Sequence, residues 1–254
     1  MRRISVIYAL IPALLLLAVP AAGEKDGLEV LDFDRGAYVS RDDRSVWSSL
    51  ATKGLLGHED RFRVQASGEL WVKKGSNDKN FLRIRGEGRV GVDKGSTELR
   101  MERGDVFAVL DGLNRRQGFN VSSPVAMASV RGTRFWVRIH PEMSEILTFA
   151  GSVRVTALEK GGGMTFDSVL LDMGEKVKVG GAAAGLHDVE ELTAEDWAEL
   201  GKVIQKLRIQ GYEIAATREE ANREAEMKEE EVLLNLEFER DDLRADSTER
   251  RMLF

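Results

Sequence analysis

The chain has 254 residues, a formal net charge of −6 and no cysteine. The lack of cysteine excludes disulfides, thiol catalysis and thiolate metal sites, so a hydrophobic core must stabilise the fold. Residues 193–254 hold 17 acids and 10 bases, a balance of −7, whereas residues 24–192 hold 26 acids and 25 bases. Because the body is nearly neutral, no nucleic-acid partner is expected.

The N-terminus has the pattern of a secretory signal peptide over residues 1–23. Arg2 and Arg3 precede the uncharged stretch 4–23, which ends in small residues. The alternative is an uncleaved membrane anchor, because residues 4–23 are long enough to span one bilayer. Either interpretation predicts that the remaining chain lies in the periplasm or outside the cell, and no cytoplasmic segment is expected before the apolar stretch.

Residues 24–185 predict an all-β body. Short runs in which apolar and polar residues alternate, such as "ELWVKK", "FLRIRG" and "RFWVRI", are separated by glycine and other turn residues. Such runs are typical of half-buried strands, and their spacing favours an antiparallel sandwich or a short β-roll of many short strands. No strand–helix–strand alternation indicates a doubly wound parallel fold.

Residues 186–254 predict an acidic helical extension. Thr193 and Asp196 have the spacing of a capping box at a helix N-terminus. The following apolar residues recur at helical spacing and form a predicted interaction seam, consisting of Trp197, Leu200, Ile204, Leu207 and Ile214. The seam either docks on the β body or pairs with another helix, which would make the protein a homo-oligomer.

No motif of enzymatic or metal chemistry stands out. His58, His140 and His187 are scattered, so no pair has the spacing of zinc ligands. No nucleophile elbow, phosphate-binding loop or dinucleotide fingerprint is present. We therefore predict no catalytic residue, no metal site and no cofactor.

The stretch "SVRGTRFWV" at residues 129–137 interrupts a strand pattern. Gly132 permits a bend or a positive φ, and the hydroxyl of Thr133 is expected to bond to the neighbouring backbone. On the strand that follows, Phe135, Val137 and Ile139 share one face and are expected to enter the core. Arg131, Gly132, Thr133 and Phe135 are therefore predicted to be a structural motif.

The opposite face of the same strand carries Arg134, Trp136 and Arg138. One interpretation is cation–π packing, in which arginine side chains partly cover the tryptophan. The other is a contact patch for an anionic or aromatic partner. Both interpretations are open from the sequence.

The stretch from residue 104 to residue 155 resembles the FecR-type periplasmic domain. The residues that match its pattern are Phe119, Val121, Ser123, Pro124, Ala126, Ala128, Val130, Arg131, Gly132, Thr133, Phe135 and Val137, followed by Gly151, Val153, Val155 and Gly174. We expect the resemblance to extend over residues 28–180. It implies an all-β extracytoplasmic domain without enzymatic activity. In the best-known members this domain follows a cytoplasmic anti-sigma segment and relays the occupancy of an outer-membrane receptor.

The sequence therefore predicts a non-enzymatic, signalling-related interaction module of the bacterial cell envelope. Its expected partner is an envelope protein or glycan, and it contacts the membrane only if the N-terminal segment is uncleaved. The alternatives are a carbohydrate-active envelope enzyme on an all-β scaffold and a purely structural envelope protein.

Overall fold

The computed structural model describes residues 27–34, 36–41, 46–75, 80–93, 96–111, 113, 118–159, 164–180, 185–209, 220, 222–223 and 226–227. The predicted signal peptide lies outside these residues. The elements are β1 (Leu28–Asp34), β2 (Ala37–Ser40), β3 (Ser48–Ser49), β4 (Leu55–Leu56), β5 (Arg61–Val64), β6 (Glu69–Lys74), β7 (Asn80–Asp93), β8 (Ser96–Leu110), β9 (Phe119–Ser122), β10 (Ala126–Val130), β11 (Arg134–Ile139), β12 (Met143–Ala150), β13 (Val153–Leu158), β14 (Met164–Leu171), β15 (Glu175–Gly180), β16 (Glu190–Glu191) and α1 (Ala194–Ile209).

A long hairpin of β7 and β8 organises the sheet. The two strands pair along their whole length, from Asn80 opposite Leu110 to Asp93 opposite Ser96. The first half of β8 also pairs with β9, and the second half pairs with β11. Likewise, the two halves of β7 pair with different strands, β6 and β5. The hydrogen-bonded network therefore divides in the middle of this hairpin.

The division coincides with two glycines that lie opposite each other. Gly86 and Gly104 are paired across the hairpin, with φ angles of +102° and +108°. These angles favour glycine, because side chains are strained there. A Cβ atom on Gly104 would lie 1.9 Å from the carbonyl oxygen of Arg85. The two backbones approach so closely here that only residues without a side chain fit.

The hairpin thus belongs to two layers. Sheet I contains β2, β3, β5, the second half of β7, the first half of β8, β9, β10, β13 and β14. Sheet II contains β1, β4, β6, the first half of β7, the second half of β8, β11, β12, β15 and β16. Alternate side chains of both sheets meet in one core cluster, which includes Phe62 and Phe119 from sheet I and Phe135 and Ile146 from sheet II. Burial of these apolar side chains stabilises the pair of layers.

Sheet II is buried on its second face as well. The helix α1 packs there, and Leu200, Val203 and Ile204 join Phe107 and Trp136 in a second buried cluster. The described part of the molecule therefore has three layers, in the order sheet I, sheet II and α1.

The predicted all-β body with a helical extension is confirmed. Two details differ from the expectation of short antiparallel strands. β7 and β8 have 14 and 15 residues, because the glycine pair lets one hairpin bend between the layers instead of ending. β8 and β9 pair in parallel, because the chain leaves the end of β8 in sheet II and returns beside the start of β8 in sheet I.

The start of α1 is the predicted capping box. The Thr193 hydroxyl accepts a hydrogen bond from the Asp196 backbone N–H at 3.2 Å, and the Asp196 carboxylate accepts one from the Thr193 N–H at 2.9 Å. Ile214 and most of the predicted acidic extension lie outside the described residues. Within the described ranges, no helix combines the length and apolar character that a membrane crossing requires.

Replacing Gly104 by alanine tests the bend. We expect Gly104→Ala to lower the free energy of unfolding by more than about 2 kcal/mol, because the new Cβ meets a backbone oxygen at a positive φ. Gly91 in the same hairpin is the control, since its added Cβ would have only ordinary contacts with Glu98 at 3.5 Å or more. Chemical denaturation measures both variants, and equal losses would contradict the role of the bend.

Candidate functional site

The motif at residues 129–137 is the point where the chain crosses between the layers. β10 belongs to sheet I and β11 to sheet II, and Gly132 connects them with a φ of +95°. The backbone carbonyl of Thr133 accepts a hydrogen bond from Leu110 at 3.0 Å. Gly151, at the reverse crossing from β12 to β13, packs beside Thr133, and a Cβ on it would lie 2.9 Å from the Thr133 methyl carbon. The two crossings therefore support each other.

One expectation for this motif is wrong. The Thr133 hydroxyl, predicted to bond to the backbone, is buried and has no hydrogen-bond partner among the described atoms. The main-chain carbonyl of Thr133 holds the corner instead. Phe135, Val137 and Ile139 are buried in the core between the sheets, as predicted, whereas Arg131 is exposed.

The face that carries Arg134, Trp136 and Arg138 is covered. Arg134 and Trp136 are only 5% and 4% exposed: Trp136 lies in the buried cluster that α1 joins, and Arg134 pairs with Asp111 at 2.8 Å. The guanidinium carbons of Arg83 and Arg138 lie 4.8 and 4.6 Å from the centre of the Trp136 ring. This is the cation–π arrangement of the first interpretation. Only Arg138, half-buried, remains accessible for a partner, so the three residues do not form an open patch.

Asp105 is the acceptor that holds this cluster together. Its carboxylate accepts hydrogen bonds from Arg83 at 2.7 Å, from Arg85 at 2.6 Å and from the Trp136 indole at 3.0 Å. Burial lowers the pKa of Arg83, and the charge of Asp105 opposes that shift. Sequence reasoning missed Asp105, although the alternation in "GDVFAVLDG" places it on the face of sheet II that carries Phe107.

Arg138 connects the cluster to α1. Its guanidinium donates to Glu145 of β12 at 3.0 Å and to Glu199 of α1 at 2.5 Å, and it lies 3.5 Å from Asp196. Asp196 also accepts a hydrogen bond from Lys176 of β15 at 2.8 Å. The carboxylate that begins the helix therefore also attaches it to sheet II.

The charges of this attachment shift two pKa values. Burial raises the pKa of Asp196, but hydrogen bonds from Lys176 and Thr193 lower it more, so the net shift is downward. For Lys176, burial lowers the pKa, while the hydrogen bond to Asp196 and its charge raise it more. Both groups are therefore charged at neutral pH.

The predicted helix seam docks on the β body. Leu200 and Ile204 are buried against sheet II, and the Trp197 ring packs edge-on against Phe149 at 5.3 Å. Val203 belongs to the same contact, although the sequence reasoning did not include it. Leu207 lies in α1, while its side chain and the whole of Ile214 fall outside what is described.

A groove remains open beside this contact. It has a volume of about 670 Å³ and lies between α1 and the strands β6, β7, β8 and β11 of sheet II. Its lining is mostly charged, with residues such as Arg85, Asp105, Arg138, Glu199 and Lys202.

A second depression, of about 730 Å³, lies on the outer face of sheet I. Glu98 accepts hydrogen bonds there from Arg100 at 2.9 Å and from the Ser122 hydroxyl at 2.8 Å. Burial raises the pKa of Glu98, but these two hydrogen bonds lower it more, so the net shift is downward. Asn120 and Met127 also line the depression.

The described residues contain no cluster of side chains suited to bind a metal ion. No group of three or more histidine, aspartate or glutamate side chains there could hold a metal ion. The histidines at 58, 140 and 187 lie in separate loops.

A known protein family matches the central strands of the fold. The family model described as "FecR protein" matches residues 75–154. We call the residues that match this model, 75–154, the FecR segment. This segment runs from just before β7 to the start of β13, so it includes the bent hairpin and the crossing at Gly132. The resemblance predicted from the sequence is confirmed, over a shorter range than residues 28–180.

Two solved structures are similar over part of the chain. Both are crystal structures of a candidate anti-sigma factor from Parabacteroides distasonis, with 17% and 18% identity and TM-scores of 0.36 and 0.35. Each alignment covers 54% of this chain and 58% of the other, so the chain spans under two thirds of those proteins. No curated protein matches the chain.

Removing the central acceptor should destabilise the FecR segment strongly. We expect Asp105→Ala to cost about 3–5 kcal/mol, because it leaves the buried guanidinium of Arg83 without its closest counter-charge. Glu87→Ala, which removes ion pairs to the more exposed Arg63 and Arg103, should cost about 1 kcal/mol or less. Urea denaturation of both variants checks this expectation, and similar losses would contradict it.

The attachment of α1 should weaken in acid. Because the pKa of Asp196 is lowered on folding, its contribution is complete above its ordinary value of 3.8 and is lost as the pH falls through the folded-state pKa. Asp196→Asn should therefore be less stable than the wild type at pH 7, with a smaller difference at pH 3. Denaturation of both proteins at the two pH values measures this, and a constant difference would refute it.

Proposed function

We propose that this protein is a non-enzymatic, signalling-related interaction module of the bacterial cell envelope. The FecR segment at residues 75–154 is the observation that carries the proposal, because it makes up the central strands of the fold. The secretory pattern at residues 1–23 supports a location in the periplasm or outside the cell.

The ion pairing of the buried and half-buried carboxylates supports a non-enzymatic role. Glu69, Asp105 and Glu199 in the groove beside α1 each pair with an arginine or lysine. In the depression on sheet I, Glu98 pairs with Arg100 and its pKa is lowered. A general acid needs a raised pKa, and glycoside hydrolysis uses two carboxyl groups that converge on the substrate. These carboxylates are instead fixed in ion pairs.

The outer face of sheet I is the surface that we assign to the partner. Sheet II is covered by α1, whereas most outward side chains of sheet I are exposed or half-buried, with Ser122 a buried exception. Five of them form a straight row across five strands, namely Glu98, Asn120, Ser129, Arg154 and Leu170. A second row beside it consists of Arg100, Ser122, Met127, Thr156 and Ser168.

The chemistry of these rows fits a protein partner. Asn120, Ser129 and Arg154 have no side-chain hydrogen bond or ion pair with any described residue, so their polar groups are available to another molecule. Leu170, 50% exposed, adds apolar area at the edge of the row. Mixed polar and apolar surfaces of this kind are typical of non-obligate protein interfaces.

Site-specific photo-crosslinking in the bacterial envelope tests this assignment. A photoreactive residue at Arg154, on the outer face of sheet I, should form a discrete adduct with one envelope protein. Glu195, which is also exposed but lies on α1, is the matched control and should give no such adduct.

Two further measurements make the test decisive. The adduct at position 154 should disappear when Ser129 is replaced by a bulky, charged arginine, while the fold measured by circular dichroism stays intact. Adducts of equal yield at positions 154 and 195, or fractionation of the protein to the cytoplasm, would refute the proposal.

A further inference from the structure

The groove between α1 and sheet II has a surplus of positive charge. Its lining includes five basic residues and three acidic ones, a net charge of +2. The basic residues are Arg83, Arg85, Arg138, Lys202 and Lys206, and the acidic ones are Glu69, Asp105 and Glu199. This net charge favours the approach of anions over that of cations.

The acidic groups of the groove are already engaged. Asp105 accepts three hydrogen bonds from Arg83, Arg85 and Trp136. Glu69 lies 3.0 Å from Lys206 and 3.6 Å from Arg83. Glu199 is paired with Arg138, as described above. A cationic ligand would therefore have to displace an existing partner before it could bind.

Two basic side chains at the groove remain available. The side chains of Lys202 and His140 are exposed, and neither forms an ion pair or a hydrogen bond within the described ranges. Lys202 extends from α1 and His140 follows β11, so they approach the groove from different elements. Arg85, with a side chain that is 42% exposed, offers further N–H donors beside its bond to Asp105.

Arg83 and Trp136 form the floor of the groove. Arg83 is 3% exposed, and its Nε atom has no hydrogen-bond acceptor among the described atoms. The guanidinium carbons of Arg83 and Arg138 lie 4.8 and 4.6 Å from the Trp136 ring centre, so the ring is already engaged by two cations. The charge of the buried Arg83 guanidinium is met by Asp105 and Glu69, so the open contacts of the groove lie at its rim.

We propose that this groove binds a small anionic ligand with several carboxylate or phosphate oxygens. Lys202, His140 and Arg85 supply the contacts at its rim. A volume of about 670 Å³ is in the range of small-molecule sites. The site lies on the opposite side of sheet II from the surface assigned to the protein partner, so it is independent of that proposal.

Isothermal titration of the purified protein tests the site with two probes of the same charge class, citrate and pyrophosphate, at constant ionic strength. Spermidine is the cationic control probe. We expect at least one anion to bind and spermidine not to bind. A preference for one anion would show whether carboxylate or phosphate oxygens are favoured. Failure of both anions at millimolar concentration, or equal binding of spermidine, would overturn the proposal.

Matched variants separate a specific site from a general effect of charge. Lys202→Gln should weaken binding about tenfold, which corresponds to the loss of one charge-assisted hydrogen bond. Lys53→Gln removes the same charge from an exposed side chain between β3 and β4, outside the lining of the groove, and should change the affinity less than about twofold. Both side chains are exposed, so both variants should keep the wild-type melting temperature. Equal weakening by the two variants would overturn the proposal.

Discussion

The close approach of Gly86 and Gly104 is the constraint on which the rest of the structure depends. At this pair the hairpin of β7 and β8 bends, with both glycines at positive φ and without room for a Cβ atom. The bend lets a single hairpin contribute to two sheets, so both layers grow from the same pair of strands. The other strands then add to one layer or the other, and the crossings at Gly132 and Gly151 bring the chain from one layer to the next.

The three-layer arrangement gives the two faces of the molecule different chemistry. Sheet II lies between the core and α1, so its arginines and Trp136 are held in a network around Asp105. Sheet I has only one buried face, and its outward rows remain accessible. A partner protein and a small anionic ligand are therefore assigned to opposite sides, where neither would compete with the other.

The attachment of α1 combines apolar packing with ion pairs. Leu200 and Ile204 contribute buried area, while Asp196 and Glu199 place negative charge against Lys176 and Arg138. Asp196 acts twice, because it caps the helix and also pairs with the sheet. One carboxylate therefore links the start of the helix to its attachment on sheet II.

The sequence alone determined the all-β body, the capped helix and the FecR resemblance. These features depend on local patterns: alternating side chains define strands, and Thr193 with Asp196 defines a helix start. Only the tertiary structure decided which strand faces are covered. The alternation in "RFWVRI" separates Phe135 from Trp136, but it does not show that α1 returns to bury the second face as well. Nor does it show that Asp105 accepts the Trp136 indole N–H. Both depend on contacts between residues distant in the chain, and single-strand periodicity carries no information about such contacts.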